Sequence, residues 1–365
     1  MKGLYIHIPF CKTICSYCDF PKIVAKENIH NIYVNRLIEE FDAYQGELKN
    51  IDTVYLGGGT PNSIDLKLLE KILIKCSTFT QNAKESTIEL NPELVTEKLV
   101  ILLKKYNINR VSLGVQTINE NAKRLLNRHH TKEDVINAIS LFNKYEISNI
   151  NVDLMFGIPN TSIDDVKCDL QFILNLNVKH ISYYSLILEE KTVLEHRLNK
   201  KEISLLDDDI ISNMYNYISN RLITEGFHHY EISNFARYGY ESIHNMLYWN
   251  CDSYIGLGAG ACGYLNNVRY ENNKTVNKYL KDFKLDEIEI SEAERKKEYF
   301  LLGLRLVDGV SINKYKELFN SDPFVDFNLE KLINKKLIEV NGDNIKISND
   351  KLFIGNLVFE EFVGD

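Results

Sequence analysis

Short runs of apolar residues, many β-branched or aromatic, recur along the first half of the chain: LYIHIPF, TVYLGGG, STIELNP, NRVSLGVQ, NINVDLMFG and HISYYSLI. Between them lie longer stretches with helical patterning, near 27–46, 64–77, 95–105, 132–145 and 162–176, with another at 206–224 after the sixth run. Runs and helices in alternation are the mark of βαβ units around a parallel sheet. Six units by about residue 195 fall two short of a complete eight-stranded barrel. Periodicity alone therefore leaves two α/β folds open, a partial, open barrel and a doubly wound sheet.

From about 225 to 290 the alternation fails, and FHHYEISNFARYGYESIHNMLYWNCDSYIGLGAGACGY runs through aromatics and glycines. Residues 291–365 then read as helices at 291–305, 311–319 and 327–335, a hairpin around Asn341-Gly342 and a last helix at 350–362. Helices followed by a two-stranded wing suggest an α+β, winged-helix-like C-terminal domain. The expected organisation is a large α/β domain over 1–230, a connecting segment over 231–290 and the C-terminal domain over 291–365.

Composition narrows the function. With 365 residues, 44% hydrophobic and 26% charged, the chain has the makeup of a soluble globular protein, one large domain with an appendage. The net charge of −8 argues against nucleic acid as a partner, since that contact needs a positive field. The sequence has no run of about 18 apolar residues and reaches Cys11 before a signal-type apolar stretch forms, so the expected location is the cytoplasm. Seven cysteines, an odd number in such a chain, favour metal or reactive roles over a disulfide framework.

Three of the cysteines, Cys11, Cys15 and Cys18, form C-x3-C-x2-C directly after the first strand. Three thiolates on one tight loop suit three irons of a cubane cluster and leave the fourth open, where an all-protein ligand set ordinarily uses four cysteines. Zinc, the alternative, favours a second C-x2-C pair downstream, and the sequence offers none. Other chemistry-bearing residues sit at strand ends: GGGTPN after the second, Glu89 and Asn91 at the third, Gln116 at the fourth and Asp153 at the fifth. In barrels and open α/β sheets those ends converge on one mouth. There, Gly57-Gly58-Gly59-Thr60-Pro61 offers backbone unblocked by side chains, Glu89 and Asp153 offer acceptors, and Arg128 offers a partner for a carboxylate.

With these motifs the sequence resembles the radical S-adenosylmethionine (SAM) superfamily, in which SAM chelates the open iron of a [4Fe-4S] cluster and is cleaved to a 5′-deoxyadenosyl radical. YIHIPFCKTICSYCDF, LGGGTPN, IELNPE, VSLGVQTINENAKRLLNR and DLMFGIP, taken in order, resemble the oxygen-independent coproporphyrinogen III oxidase group over nearly the whole chain. The resemblance implies a partial (β/α)6 barrel, cluster ligands Cys11, Cys15 and Cys18, and SAM-binding positions Tyr5, Gly58, Gly59, Thr60, Glu89, Gln116, Arg128 and Asp153. The oxidases of the group carry a fourth cysteine two residues past the third, where this chain has Phe20, and an N-terminal extension where it has ten residues before Cys11. His244-Asn245-Met246-Leu247-Tyr248-Trp249 instead matches the HNxxYW motif of the haem-chaperone branch, HemW. That branch implies haem as cargo, with His244, Tyr248 and Trp249 as haem-binding residues. It implies transfer to apo-haemoproteins such as respiratory enzymes, with loose membrane association or dimerisation on loading.

Two alternatives share the cofactor site: an anaerobic coproporphyrinogen III dehydrogenase and a radical methyltransferase. In the glycine-rich stretch Gly256–Gly263, a histidine is usual in the family where Cys262 stands, leaving either a lost haem contact or a thiolate substitute. Its GxGxG pattern is a weak sign of dinucleotide binding, since no clear βαβ unit frames it.

Overall fold

The computed structural model describes residues 1–363, so the last two residues of the expected C-terminal domain lie outside it. Six parallel strands carry the six apolar runs: β1 (Lys2–Ile8), β2 (Thr53–Gly58), β3 (Glu85–Leu90), β4 (Arg110–Gln116), β5 (Asn149–Phe156) and β6 (His180–Ser185). Helices Glu27–Ala43, Leu66–Thr80, Glu97–Lys105, Lys132–Lys144 and Ile163–Leu174 make the crossovers, and Asp208–Thr224 follows. Each ends within a few residues of its expected bounds. Side-chain chemistry explains several starts: Asp65, Thr96 and Thr131 each accept a backbone N–H of the first turn. In the first 224 residues sequence periodicity missed two short helices, Glu120–Leu126 and Val193–Asn199. One or two turns are too few to show a helical repeat.

The segment 225–290 is more regular than its sequence suggests. It holds β7 (His228–Glu231), β8 (Asn234–Ala236), β9 (Ser253–Leu257), β10 (Cys262–Leu265), β11 (Val268–Asn272) and β12 (Lys284–Glu289). All join one sheet in the order β12-β11-β10-β9-β1-β2-β3-β4-β5-β6-β8-β7. β9 pairs parallel with the free edge of β1, Tyr5 opposite Gly256, so the parallel core has seven strands. β6 pairs antiparallel with β8, and the two ends of the sheet do not pair with each other. The loops after β1 and β6 nevertheless line one cavity, so the sheet curls into a partial barrel.

Strand alternation separates two environments. Leu4, Ile6, Ile8, Val54, Leu56, Val111, Leu113, Val152 and Leu154 are fully buried in the main core, which the helices pack against. The opposite face of the strands is polar and internally bonded: Ser112 donates to Asp153, Asn151 donates to Ser112, and His180 bonds Asn151.

The C-terminal part follows the expected order. Helices Glu292–Gly303, Ile312–Phe319, Pro323–Asp326 and Leu329–Asn334 precede the hairpin β14 (Ile338–Asn341) and β15 (Asn344–Ile347), with the two-residue β13 (Val310–Ser311) as third strand. The expected last helix at 350–362 is instead a series of short 3₁₀ and α turns interrupted at Gly355.

Gly256 sets the approach of β9 to β10. A Cβ there would lie 1.9 Å from the Cys262 carbonyl oxygen, a contact only backbone movement could relieve. Gly256→Ala is expected to cost on the order of 3 kcal/mol or more, read as a lower urea midpoint at unchanged slope. An unchanged midpoint would show that the two strands can separate without penalty.

Candidate functional site

The three cysteines lie on a loop closed at its base. Cys11 N–H donates to Ile23 O at 3.0 Å and Ile23 N–H to Pro9 O at 2.7 Å, making a bridge between Phe10 and Ile23. The far side is tied to helix Glu120–Leu126 and the residue after it: Ser16 N–H donates to Leu126 O, Ser16 Oγ to Leu125 O, and Asn127 Nδ2 to Ile14 O. Secured at both ends, the loop presents three free, half-buried thiols.

These thiols line a cavity of about 410 Å³ at the carboxyl ends of the strands. Gly58, Gly59, Thr60, Glu89, Gln116, Arg128 and Asp153 line it as well, so seven of the eight positions implied for SAM share one mouth. Tyr5 does not: it lies below the cavity, its hydroxyl 2.9 Å from His7 Nδ1, while His7 Nε2 is 2.8 Å from the Pro21 carbonyl on the cysteine loop. The His7 ring fits because residue 58 is glycine, at φ 111°, where a Cβ would come within 2.5 Å of it. Thr60 turns its hydroxyl toward Cys11 Sγ at 3.6 Å. Gln116 has φ 67°, at an irregularity in the β4–β5 ladder. Phe20 is 61% exposed at the cavity rim. With Ile14 and Ile187, also exposed, it gives the rim an apolar edge.

Alternation along β2 could have revealed one functional residue the sequence reading missed, Tyr55. It lines the cavity beside Gly58 and Gly59 and donates to Glu89 Oε1 at 2.8 Å. Glu89 Oε2 accepts the Gly58 N–H at 3.1 Å. Burial, reinforced by the like charge of Asp153, pushes the Glu89 carboxyl up to about 7, even against these hydrogen bonds. Burial raises Asp153 too, although Ser112 and Asn151 donate to it. Arg128 answers from across the cavity: Nη1 is 3.7 Å from Cys15 Sγ and 3.0 Å from Asn91 Oδ1, Nη2 donates to Gly114 O, and its buried Nε has no partner.

The residues present fit a [4Fe-4S] cluster and SAM. Burial raises the Cys11 thiol and lifts Cys18 to about 11, a cost to the thiolate that bound iron would offset. Among the described residues, no three His, Cys, Asp or Glu side chains converge on a single ion, whereas a cubane takes one thiolate at each of three corners. Two buried carboxylates suit a cationic, hydroxyl-bearing ligand, and the Arg128 guanidinium, with its Nε unpartnered, suits its carboxylate.

The HNxxYW segment lies elsewhere. It forms helix Ile243–Trp249 at the opposite, amino-terminal end of the strands. His244 is 1% exposed, with Nδ1 2.7 Å from Thr53 Oγ1 and Nε2 2.9 Å from the Tyr248 hydroxyl. Neither ring nitrogen is free in this conformation. Tyr248 and Trp249 line a second cavity, of about 360 Å³, with Tyr254, Cys251 and Arg269. Cys262, exposed on β10, lines neither cavity.

Fold and site together define a radical SAM protein. The family description "Radical SAM superfamily" matches residues 5–173, and "HemN C-terminal domain" matches residues 290–349. Among solved structures, HemN from Escherichia coli, coproporphyrinogen III oxidase, superposes with a TM-score of 0.83 over 99% of this chain and 88% of its own; at 18% identity the likeness is one of fold. The heme chaperone HemW of Lactococcus lactis is 36% identical over 100% of this chain and 98% of its own length. The heme chaperone HemW of Bacillus subtilis is 33% identical over the full length of both chains. The chain belongs to the HemW family, the HemN-like branch of the radical SAM superfamily.

The electrostatics of Glu89 give a pH test. A carboxyl raised by folding contributes stability below its unfolded pKa and loses that contribution as pH rises through about 7. Glu89→Gln stays neutral throughout, so in cofactor-free protein its melting temperature should gain on the wild type by about 3 °C between pH 5 and pH 8. A gap that stays constant with pH would mean that Glu89 ionises without penalty.

Proposed function

We propose that the chain is a haem chaperone that carries a [4Fe-4S] cluster and SAM and passes haem to apo-haemoproteins, respiratory enzymes among them. The observation that carries this reading is the end-to-end relationship to relatives named heme chaperone HemW, at 33–36% identity. Phe20 supports it by standing at the mouth where an oxidase of the group has a cysteine. No helix among the described residues is long and apolar enough to cross a membrane. The proposal sets the chaperone in the cytoplasm, as a monomer that dimerises and associates peripherally with membranes when loaded. It keeps the division into a barrel domain (1–230), a connecting segment (231–290) and a HemN-type C-terminal domain (291–365).

In this reading Cys11, Cys15 and Cys18 hold three irons. The Gly58-Gly59-Thr60 backbone and Glu89 receive the SAM ammonium, Arg128 its carboxylate, and Asp153 and Gln116 its hydroxyls. Tyr5 supports from the layer below through His7. When bound, the cluster and SAM supply one-electron chemistry at a sulfonium. The chain's own contribution is to orient the ligand between two carboxylates and a guanidinium at the carboxyl ends of the strands. Tyr248 and Trp249 give haem flat apolar walls in the second cavity.

The test is to reconstitute the full chain anaerobically and supply SAM, reductant and coproporphyrinogen III, then to titrate it with haem. The porphyrinogen should return unchanged, haem should produce a saturable Soret band, and the bound haem should pass to an apo-cytochrome. Decarboxylated porphyrin at more than trace turnover would make the chain an oxidase instead. The Cys11→Ala, Cys15→Ala, Cys18→Ala triple variant should lose cluster iron and the associated visible absorption.

A further inference from the structure

We propose that His244 is a positioning residue for the SAM site, acting from the floor of the barrel through Tyr55 on the Glu89 carboxylate. The inference rests on the reading above, in which Glu89 receives the SAM ammonium.

The contacts are continuous. The His244 ring stacks on Tyr55 with centroids 5.0 Å apart and planes 29° from parallel, and the Tyr55 hydroxyl reaches Glu89 at 2.8 Å. Tyr5, with its ring centroid 6.1 Å from that of Tyr55, is a second aromatic neighbour. Glu89 needs such support. Its ammonium-facing carboxylate lies buried near a like charge, with Tyr55 and Gly58 as its hydrogen-bond donors among the described residues, and Gly57 is packed so closely that a Cβ would sit 2.9 Å from the carboxyl.

The His244 ring is itself held from several directions. The Thr53 and Tyr248 hydroxyls take its two nitrogens, fixing the orientation of the ring. The buried Glu85 carboxylate accepts the backbone N–H groups of Ile243 and His244 at 2.9 and 3.0 Å, pinning the first turn of the motif helix. A side chain locked by such surroundings can set the geometry of a site it does not touch.

A second connection ends on the same helix. Asp153, the other cavity carboxylate, accepts from Asn151 at 2.7 Å; Asn151 is 2.6 Å from His180, His180 is 2.7 Å from the Tyr230 hydroxyl, and that hydroxyl accepts the N–H of Ser242. Ser242 is the N-cap of the motif helix. Both carboxylates of the mouth are thus mechanically joined to HNxxYW. The motif's histidine faces the cofactor site from below, while its Tyr248 and Trp249 face the second cavity.

The experiment is a double-mutant cycle on the full chain with reconstituted cluster, reading the SAM dissociation constant by equilibrium dialysis. Iron content and melting temperature are measured in parallel. His244→Ala should weaken SAM binding about tenfold, the equivalent of one lost hydrogen bond at the site. In a Tyr55→Phe background the same substitution should add little, because the path is already cut. Thr53→Val, isosteric and outside the cavity, should weaken SAM in the same direction and serves as the test if His244→Ala does not fold. Unchanged SAM affinity in the folded variant, or losses that simply add, would overturn the inference. It falls equally if His244→Ala alters only the Soret band, which would make His244 a haem ligand. Wild-type protein that holds its cluster yet takes up no SAM would refute the reading of the mouth itself, a result distinct from any failure of the cycle.

Discussion

Everything at the site depends on β1 being bonded along both edges by parallel strands. β2 on one side brings the GGGTPN turn to the mouth; β9 on the other, reached through 237–252, forces the connecting chain to pass beneath the barrel. The glycine-rich stretch makes this pairing possible. Gly256 admits the Cys262 carbonyl, and Gly258 lies so close to His7 O and the Tyr33 hydroxyl that a Cβ would sit 2.5 and 2.7 Å from them. The buried Glu40 carboxylate then fixes the turn, accepting from Gly258 N–H, Asn272 and Tyr279. The GxGxG pattern thus serves to join β9–β10 to the strand that bears the cluster loop.

Period-two alternation then divides the labour. One face of each strand supplies aliphatic side chains to the helices, while the other fills the barrel with hydrogen-bonded polar groups whose ionised forms are costly. Glu89 and Asp153 are raised, and His180 and His244, lowered by burial, are neutral at physiological pH. A cationic ligand entering between the two carboxylates would relieve that cost, so affinity and charge selectivity come from the same burial. Below the mouth these histidines stay uncharged, and the charges buried at that end, Glu85 and Arg110, face each other at 3.8 Å, the Arg110 cation also partly offsetting the rise at Glu89 and Asp153.

The six barrel strands and their long helices were legible because each run is long enough to display its period and is punctuated by recognisable turns. The mouth was legible for the same reason: Gly58, Glu89, Gln116 and Asp153 end strands whose direction the βαβ pattern dictates. What could not be read were strands of three to six residues between 228 and 289, too short and too aromatic for alternation to register, and whose pairing with β1 is a long-range choice. Tyr5 illustrates a finer limit. It shares its face with the cavity residues but sits one layer down, and depth within a barrel leaves no trace in the periodicity.

His244 shows why motif and mechanism must be separated. In sequence, a histidine flanked by aromatics invites the role of iron ligand. In the fold, both nitrogens are satisfied and the ring is enclosed, so serving as a ligand would require breaking two buried hydrogen bonds and releasing the stack on Tyr55. Each freed buried partner costs about 1–3 kcal/mol. A chaperone must bind its cargo and also give it up, which favours an open, aromatic-walled cavity such as that beside Tyr248 and Trp249 over ligation at a closed floor. The outer side of the motif helix carries Tyr248, bonded to His244 through its hydroxyl, and Trp249, with the Arg305 guanidinium 4.6 Å over its ring, while the inner side is committed to the barrel. In the proposed reading this seven-residue element serves cofactor and cargo from its two sides without the two sharing a pocket.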